Sequence, residues 1–323
     1  MRRADVDIYR CPGCGSDRLS LLVVQEGGAG EVEVGELRCE RCDAHYPVAR
    51  GLPRFVGADN YAASFGLQWN LHRKTQLDSH TGLPISRDRV FAATGWPADL
   101  RGERMLEAGS GAGRFTEVLL STGASLVSFD YSGAVDANRQ NNGDRPGLTL
   151  FQGDIYRIPL EPESFDRVLC FGVLQHTPDP AGAFASLARF VRPGGRIAID
   201  VYRADLPALL QWKYLLRPLT RRMGRERLYR LVEAVTPAMI PLARGLRRAG
   251  ARLVPIVEYS HLGLSPELNR QWAILDTFDM YSPAHDHPQS LAAVRRWFDA
   301  AGLVEVDVRR GPNGVVGNGR RPA

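Results

Sequence analysis

The chain has 323 residues, 44% hydrophobic and 24% charged, with five cysteines. This is an ordinary globular composition, long enough for one large domain or two small ones, and it excludes collagenous, disordered and disulfide-dense classes. The net charge is +5, yet 39 of the 41 basic residues are arginine, a bias of GC-rich coding that weakens arginine abundance as a sign of nucleic-acid binding. Residues 203–252 hold 12 basic and 3 acidic side chains, so one segment carries the positive charge. No apolar run reaches the roughly 18 residues of a membrane span. No signal-peptide stretch follows Arg2 and Arg3, which predicts a cytoplasmic protein.

Four cysteines form two C-x-x-C pairs, Cys11 with Cys14 and Cys39 with Cys42, separated by 24 residues. Each pair can turn two thiolates toward one point, and four thiolates satisfy the tetrahedral preference of structural zinc. Residues 19–25 and 31–38 read as strands around a glycine turn at 27–30, giving a zinc ribbon built from a hairpin and two knuckles. A pair of disulfides or redox thiols is the alternative. His45 reads as an ordinary hairpin residue. The run His45-Tyr-Pro-Val-Ala-Arg-Gly51-Leu-Pro53 that follows resembles the closing segment of the small zinc-ribbon activator proteins that partner RNA and protein methyltransferases.

Residues 60–100 read as helices, with Tyr61, Phe65, Trp69 and Leu71 spaced for one face and breaks at Pro84 and Pro97. Beyond them short apolar strands at 105–108, 126–129, 148–151, 168–171 and 197–201 alternate with helical stretches. That alternation predicts an α/β fold with a parallel sheet and helices on both faces. Cys170, inside an apolar strand, reads as core.

The strongest signal is Glu107-Ala-Gly109-Ser-Gly111-Ala-Gly113-Arg114, after the first of these strands and opening a helix. Glycines at 109, 111 and 113 bring backbone close to a ligand beside free helix N–H groups. A dinucleotide loop needs glycine or alanine where Arg114 stands, and the carboxylate of Glu107 would repel a pyrophosphate; the loop therefore suits a cationic amino-acid cofactor. Asp130, followed by Tyr131, ends the second strand, where a carboxylate can accept two ribose hydroxyls. Asp154 and Ile155 end the third, suited to an adenine amino group and an apolar face.

This ordered set, with residues 165–180 and 192–202, resembles the class I S-adenosylmethionine-dependent methyltransferases. The resemblance is tight over residues 105–202 and looser over Trp297-Phe-Asp-Ala-Ala-Gly302-Leu303 and 304–308. It implies a Rossmann-like sheet and S-adenosylmethionine as methyl donor, bound by Glu107, Gly109, Gly111, Gly113, Asp130, Tyr131, Asp154 and Ile155.

An acceptor hydroxyl or ammonium must lose a proton, and histidine is the usual base. His176 lies just past the fourth strand; it is a candidate base, or serves local hydrogen bonding. A second cluster at residues 276–288, expected as a loop or short helix, brings Tyr281, His285 and His287; acceptor contact, metal binding and a plain loop all remain open for it. The basic segment, with Leu228, Leu231, Val232 and Val235 at helical spacing, reads as a lid or docking surface for an acidic carrier, a phosphate-bearing metabolite or RNA, or as a solvated cap. The organisation predicted is a zinc ribbon at 1–58, a helical cap and donor-binding core at 59–202, an arginine-rich helical insertion at 203–271 and a C-terminal completion at 272–323. The expected activity is methyl transfer to a small metabolite or natural product. RNA methylation, a catalytically inactive donor-binding scaffold and a nucleotide-dependent dehydrogenase are the alternatives.

Overall fold

The computed structural model describes residues 1–57, 60–204, 212–248 and 254–323. The expected boundary between 58 and 59 lies outside the described residues, as do residues 205–211 and 249–253 of the insertion.

The ribbon is an antiparallel sheet of β1 (Leu19–Glu26), β2 (Val32–Cys39), β3 (His45–Ala49) and β4 (Leu52–Pro53), in that spatial order. Its last segment runs on beside the main sheet: Phe55 N–H donates to Gln152 O at 2.9 Å, and Arg10 N–H to Pro159 O at 2.9 Å. The rings of Tyr9, Phe55 and Phe151 pack at 5.2–5.8 Å, in the tilted and edge-on geometries that aromatic quadrupoles favour. Tyr9 and Phe151 are fully buried, so ribbon and sheet share one apolar core. Each such ring contributes about 1.5–3 kcal/mol by leaving water.

Three helices follow: α1 (Ala63–Leu71), α2 (Asp78–Thr81) and α3 (Ile85–Thr94). Tyr61, Phe65 and Trp69 turn inward as expected, whereas Leu71 is 54% exposed. Two residues past Trp69, it stands about 200° around the helix, on the opposite side.

The main sheet contains β5 (Arg104–Ala108), β6 (Ser125–Asp130), β7 (Leu148–Gln152), β8 (Phe165–Phe171), β9 (Val191–Val201), β10 (Val304–Gly311) and β11 (Gly314–Arg320), ordered β10-β11-β9-β8-β5-β6-β7. Helices α4 (Arg114–Leu120), α5 (Val135–Asn142) and α6 (Pro180–Ala188) connect the parallel strands. Those strands read as apolar runs because both their faces are covered. The sheet is mixed rather than wholly parallel. Only Pro312 and Asn313 separate β10 from β11, too few for a crossover, so β11 turns back and pairs antiparallel with both β9 and β10.

The insertion forms α7 (Trp212–Thr220) and α8 (Arg225–Arg248), which pack on α9 (Pro266–Tyr281); α10 (Leu291–Ala300) completes the far face of the sheet. Leu228 and Val232 are buried against Ile274, Phe278 and Tyr281. Leu231 and Val235, expected on that same face, are 47% and 41% exposed. Among the described residues no helix is long and apolar enough to cross a membrane.

Candidate active site

The order of connection reverses between β5 and β8, and the crevice of a doubly wound sheet opens at such a switch point. The glycine loop lies there. Gly109 has φ 76°, and a Cβ on it would stand 2.2 Å from a methyl of Val173; Gly111 has φ 53°, with the Trp69 indole 3.2 Å from where its Cβ would be. Both positions therefore demand glycine for conformation and for space. The loop borders a cavity of about 980 Å³, at the upper end of the range for small-molecule sites, with room for two ligands.

At one end of the cavity stand Gly109, Gly111, Asp130, Tyr131 and Ile155. Asp130 accepts from the Gly111 N–H at 2.9 Å and from both the N–H and the hydroxyl of Ser132, at 2.8 and 2.7 Å. Burial raises its carboxyl above the usual range, and these hydrogen bonds oppose the rise. The Tyr131 ring stacks on Tyr61 at 4.7 Å. Asp154 accepts from the Tyr156 N–H at 2.9 Å and, unlike Ile155, does not line the cavity.

Glu107 also stands apart from the lining. It is 2% exposed beneath the loop, where Oε2 accepts from Thr116 at 2.5 Å and Ser128 at 2.7 Å while Oε1 has no partner among the described residues. Burial pushes its carboxyl up to about 7. Glu107 braces the loop from below through Thr116 and Ser128. Gly113, at the mouth of α4, is likewise outside the lining; a Cβ there would meet Asn138 Oδ1 at 2.2 Å.

Across the cavity, His176 is 6% exposed, at the end of a short 3-10 turn, Leu174–His176, that follows β8. Its Nδ1 lies 3.0 Å from His285 O, and its Nε2, buried at the cavity wall, has no partner among the described residues. Phe65 and Tyr202 flank the ring at 5.0 and 5.3 Å. The structure does not bring Tyr281 and His285 side chains to the same wall. Residues 276–281 are the last turns of α9, and the Tyr281 hydroxyl donates to Pro255 O at 2.8 Å. The His285 ring stands against Tyr61 and His287, outside the lining, and it is its carbonyl that touches His176.

Asp276 and Asp279, inside the expected 276–288 cluster, do reach the lining, and other groups there escaped sequence reasoning. Asp276 accepts from the Tyr259 hydroxyl and from Gln76 Nε2, and burial pushes its carboxyl up to about 6. Tyr202 donates to Asp279 at 2.9 Å. Arg89 pairs with Asp200, and Lys213 with Asp286 at 3.0 Å. The guanidinium of Arg114 lies over the rings of Phe115 and Trp272 and donates to Gln76 and Ser86. Gln68, also in the lining, did leave a signal: a polar residue on the inward face between Phe65 and Trp69.

In the ribbon the four thiols of Cys11, Cys14, Cys39 and Cys42 lie within 4.8 Å of one another, with two pairs at 3.6 Å. Tetrahedral zinc with bonds of about 2.3 Å sets sulfurs ~3.8 Å apart, so the cluster fits that ion. His45 is hydrogen-bonded to Glu36 and outside the cluster, and Cys170 is buried core.

Residues 106–199 match the family described as a methyltransferase domain. An uncharacterized Synechococcus protein is 28% identical over 65% of this chain and 49% of its own length. The ubiquinone biosynthesis O-methyltransferase of Methylococcus capsulatus is 32% identical over 44% of this chain and 61% of its own; that of Xylella fastidiosa is 28% identical over 60% and 77%. The chain thus spans about half to three fifths of the first two relatives. Among solved structures, an S-adenosyl-L-methionine-dependent methyltransferase of Methanococcus maripaludis aligns with a TM-score of 0.47 at 15% identity, over 83% of this chain and 97% of that one. A complex of the Haloferax volcanii Trm112 methyltransferase activator with a methyltransferase aligns with a TM-score of 0.47 at 14% identity, over 80% and 98%.

Proposed function

We propose, for a chain whose residues 106–199 form a class I methyltransferase domain, that it uses S-adenosylmethionine to methylate a hydroxyl of a small molecule, with His176 as general base. The donor, when bound, supplies a sulfonium methyl already activated for in-line displacement. Asp130 would accept its ribose hydroxyls, and Tyr131 and Ile155 would flank its purine. Glu107, Gly109, Gly111 and Gly113 hold the loop in shape, and Asp154 fixes the turn that carries Ile155.

The observation that carries the base assignment is the tautomer of His176. A carbonyl oxygen only accepts, so Nδ1, 3.0 Å from His285 O, donates, and in the neutral ring Nε2 is then the lone pair at the cavity wall. His176 Nε2 would take the proton of the acceptor hydroxyl as that oxygen is methylated. The curated relatives named as O-methyltransferases support oxygen as the acceptor atom. Cys11, Cys14, Cys39 and Cys42 would hold one structural zinc.

A second reading has its own observation: Arg221, Arg222, Arg227 and Arg230 are exposed on the lid, a surface for RNA or an acidic carrier protein that presents the acceptor.

Methyl transfer to a panel of small hydroxyl and amine acceptors, with RNA as a separate arm, tests the proposal. His176→Gln is expected to lower turnover by about 10²- to 10⁴-fold and leave donor affinity within about twofold. Unchanged turnover removes the base assignment, and methylation of RNA alone replaces the small-molecule reading.

A further inference from the structure

The inward face of α1 carries a side chain whose hydrogen-bonding needs the protein leaves unmet. Gln68 is 1% exposed and lines the cavity, yet neither Oε1 nor Nε2 has a partner among the described residues. Buried amides are almost always paired in a finished structure, so an orphaned amide at a cavity wall marks a place where a ligand completes the set. His176 Nε2 and Ser110 Oγ are further such atoms in the lining among the described residues, and the chemistry above already employs the first.

The position of α1 says which ligand. A Cβ on Gly66 would stand 3.2 Å from Gly133 N, so the helix lies hard against the loop after β6. Asn70 Nδ2 donates to Gly133 O at 2.9 Å, and Asn60 Nδ2 to Tyr131 O at 3.0 Å. One residue past Gln68, the Trp69 indole covers Gly111. Gly66 and Asn70 thus fix one side of α1 against the loop after β6, and Gln68, on its other side, lines the same cavity as Gly109 and Gly111.

We infer, resting on the donor-binding reading above, that Gln68 recognises the amino-acid end of the methyl donor. That end offers a carboxylate and an ammonium on one carbon, and a primary amide is matched to the pair: Nε2–H donates to the carboxylate and Oε1 accepts from the ammonium. Glu107 is 2% exposed and outside the cavity lining, whereas the Gln68 amide stands in it.

Two nucleosides test this by calorimetric titration: S-adenosylhomocysteine, which has the amino-acid end, and 5′-methylthioadenosine, which lacks it. Gln68→Met keeps the volume and removes the amide. It is expected to weaken S-adenosylhomocysteine by roughly 10- to 100-fold, the scale of a lost hydrogen bond to a charged group, and to change 5′-methylthioadenosine less than about twofold. Gln68→Glu keeps the acceptor and adds repulsion toward the carboxylate, so it should show the same selective loss and serves if the first variant folds poorly. Equal weakening of both nucleosides, or of neither, overturns the inference and makes Gln68 a packing residue. Failure of the wild-type protein to bind either nucleoside instead removes the donor reading, and the inference with it.

Discussion

The ribbon side and the lid side of this molecule are held by opposite means. At the ribbon, Tyr9, Phe55 and Phe151 form one apolar core with the sheet, and backbone hydrogen bonds extend it along β7. At the lid, the apolar cluster around Phe278 is small, and buried polar contacts such as Lys213 with Asp286 and Tyr259 with Asp276 carry much of the attachment. Apolar burial is nearly indifferent to what occupies the site, whereas buried polar pairs are sensitive to charge and water. The ribbon is thus built into the apolar core of the sheet, whereas the insertion is held by a small apolar cluster together with buried polar pairs.

Breaking the ribbon is expected to give the largest effect. Elemental analysis should find one zinc per chain in reduced protein, none in Cys42→Ser, and an unchanged content in Cys170→Ser. Because Phe55 pairs with Gln152, loss of the metal should also raise amide exchange along β7, by several kcal/mol of local protection. Full metal loss with no change in β7 exchange would show the ribbon to be a separate appendage.

The next effect belongs to the layer between the two sides. Burial raises Glu107 to about 7, so the folded protein holds that proton more tightly than the unfolded chain does. The stability it contributes is fully present below the ordinary value near 4.5 and is lost as pH rises through about 7. Glu107→Gln keeps an acceptor for Thr116 and Ser128 and never ionises. It should therefore be more stable than wild type by about 2–3 kcal/mol at pH 8, with the advantage gone near pH 4. Urea denaturation at the two pH values checks this; an equal difference at both would mean that Glu107 acts by packing alone.

What the sequence made legible follows the same division. The cysteine pairs, the strands from residue 105 to 201 and the glycine loop are local patterns, with each residue's role fixed by neighbours a few positions away. Asp130 met its expected partner region because the strand end dictates it. The antiparallel β11 went unread, although Pro312-Asn313-Gly314 is a turn too short for a crossover. The acceptor wall was not legible, because it is assembled across the chain: Gln76 reaches Asp276, and the Trp272 indole donates to Thr75 O. No spacing rule encodes a pairing 197 or 200 residues apart. Tyr281 and His285 looked chemical for being ionisable and close in sequence, and the fold gives them different neighbours.

Tyr281 sharpens the comparison with the smallest expected effect. It is 4% exposed, its ring belongs to the lid cluster, and its hydroxyl donates to Pro255 O at 2.8 Å. Burial raises that hydroxyl to about 12, so it keeps its proton at neutral pH. Tyr281→Phe retains the buried ring and loses one neutral hydrogen bond, at a cost of about 0.5–1.5 kcal/mol in stability. Turnover should stay within about twofold, because the hydroxyl faces the insertion's backbone and not the cavity. Tyr281→Ala removes the ring as well and should cost about 3–5 kcal/mol by analogy with other buried aromatics. If the lid is held as weakly as its small cluster indicates, that variant should weaken acceptor binding before donor binding. A hundredfold turnover loss in Tyr281→Phe, with stability nearly unchanged, would place the hydroxyl in the chemistry and assign the lid a catalytic part.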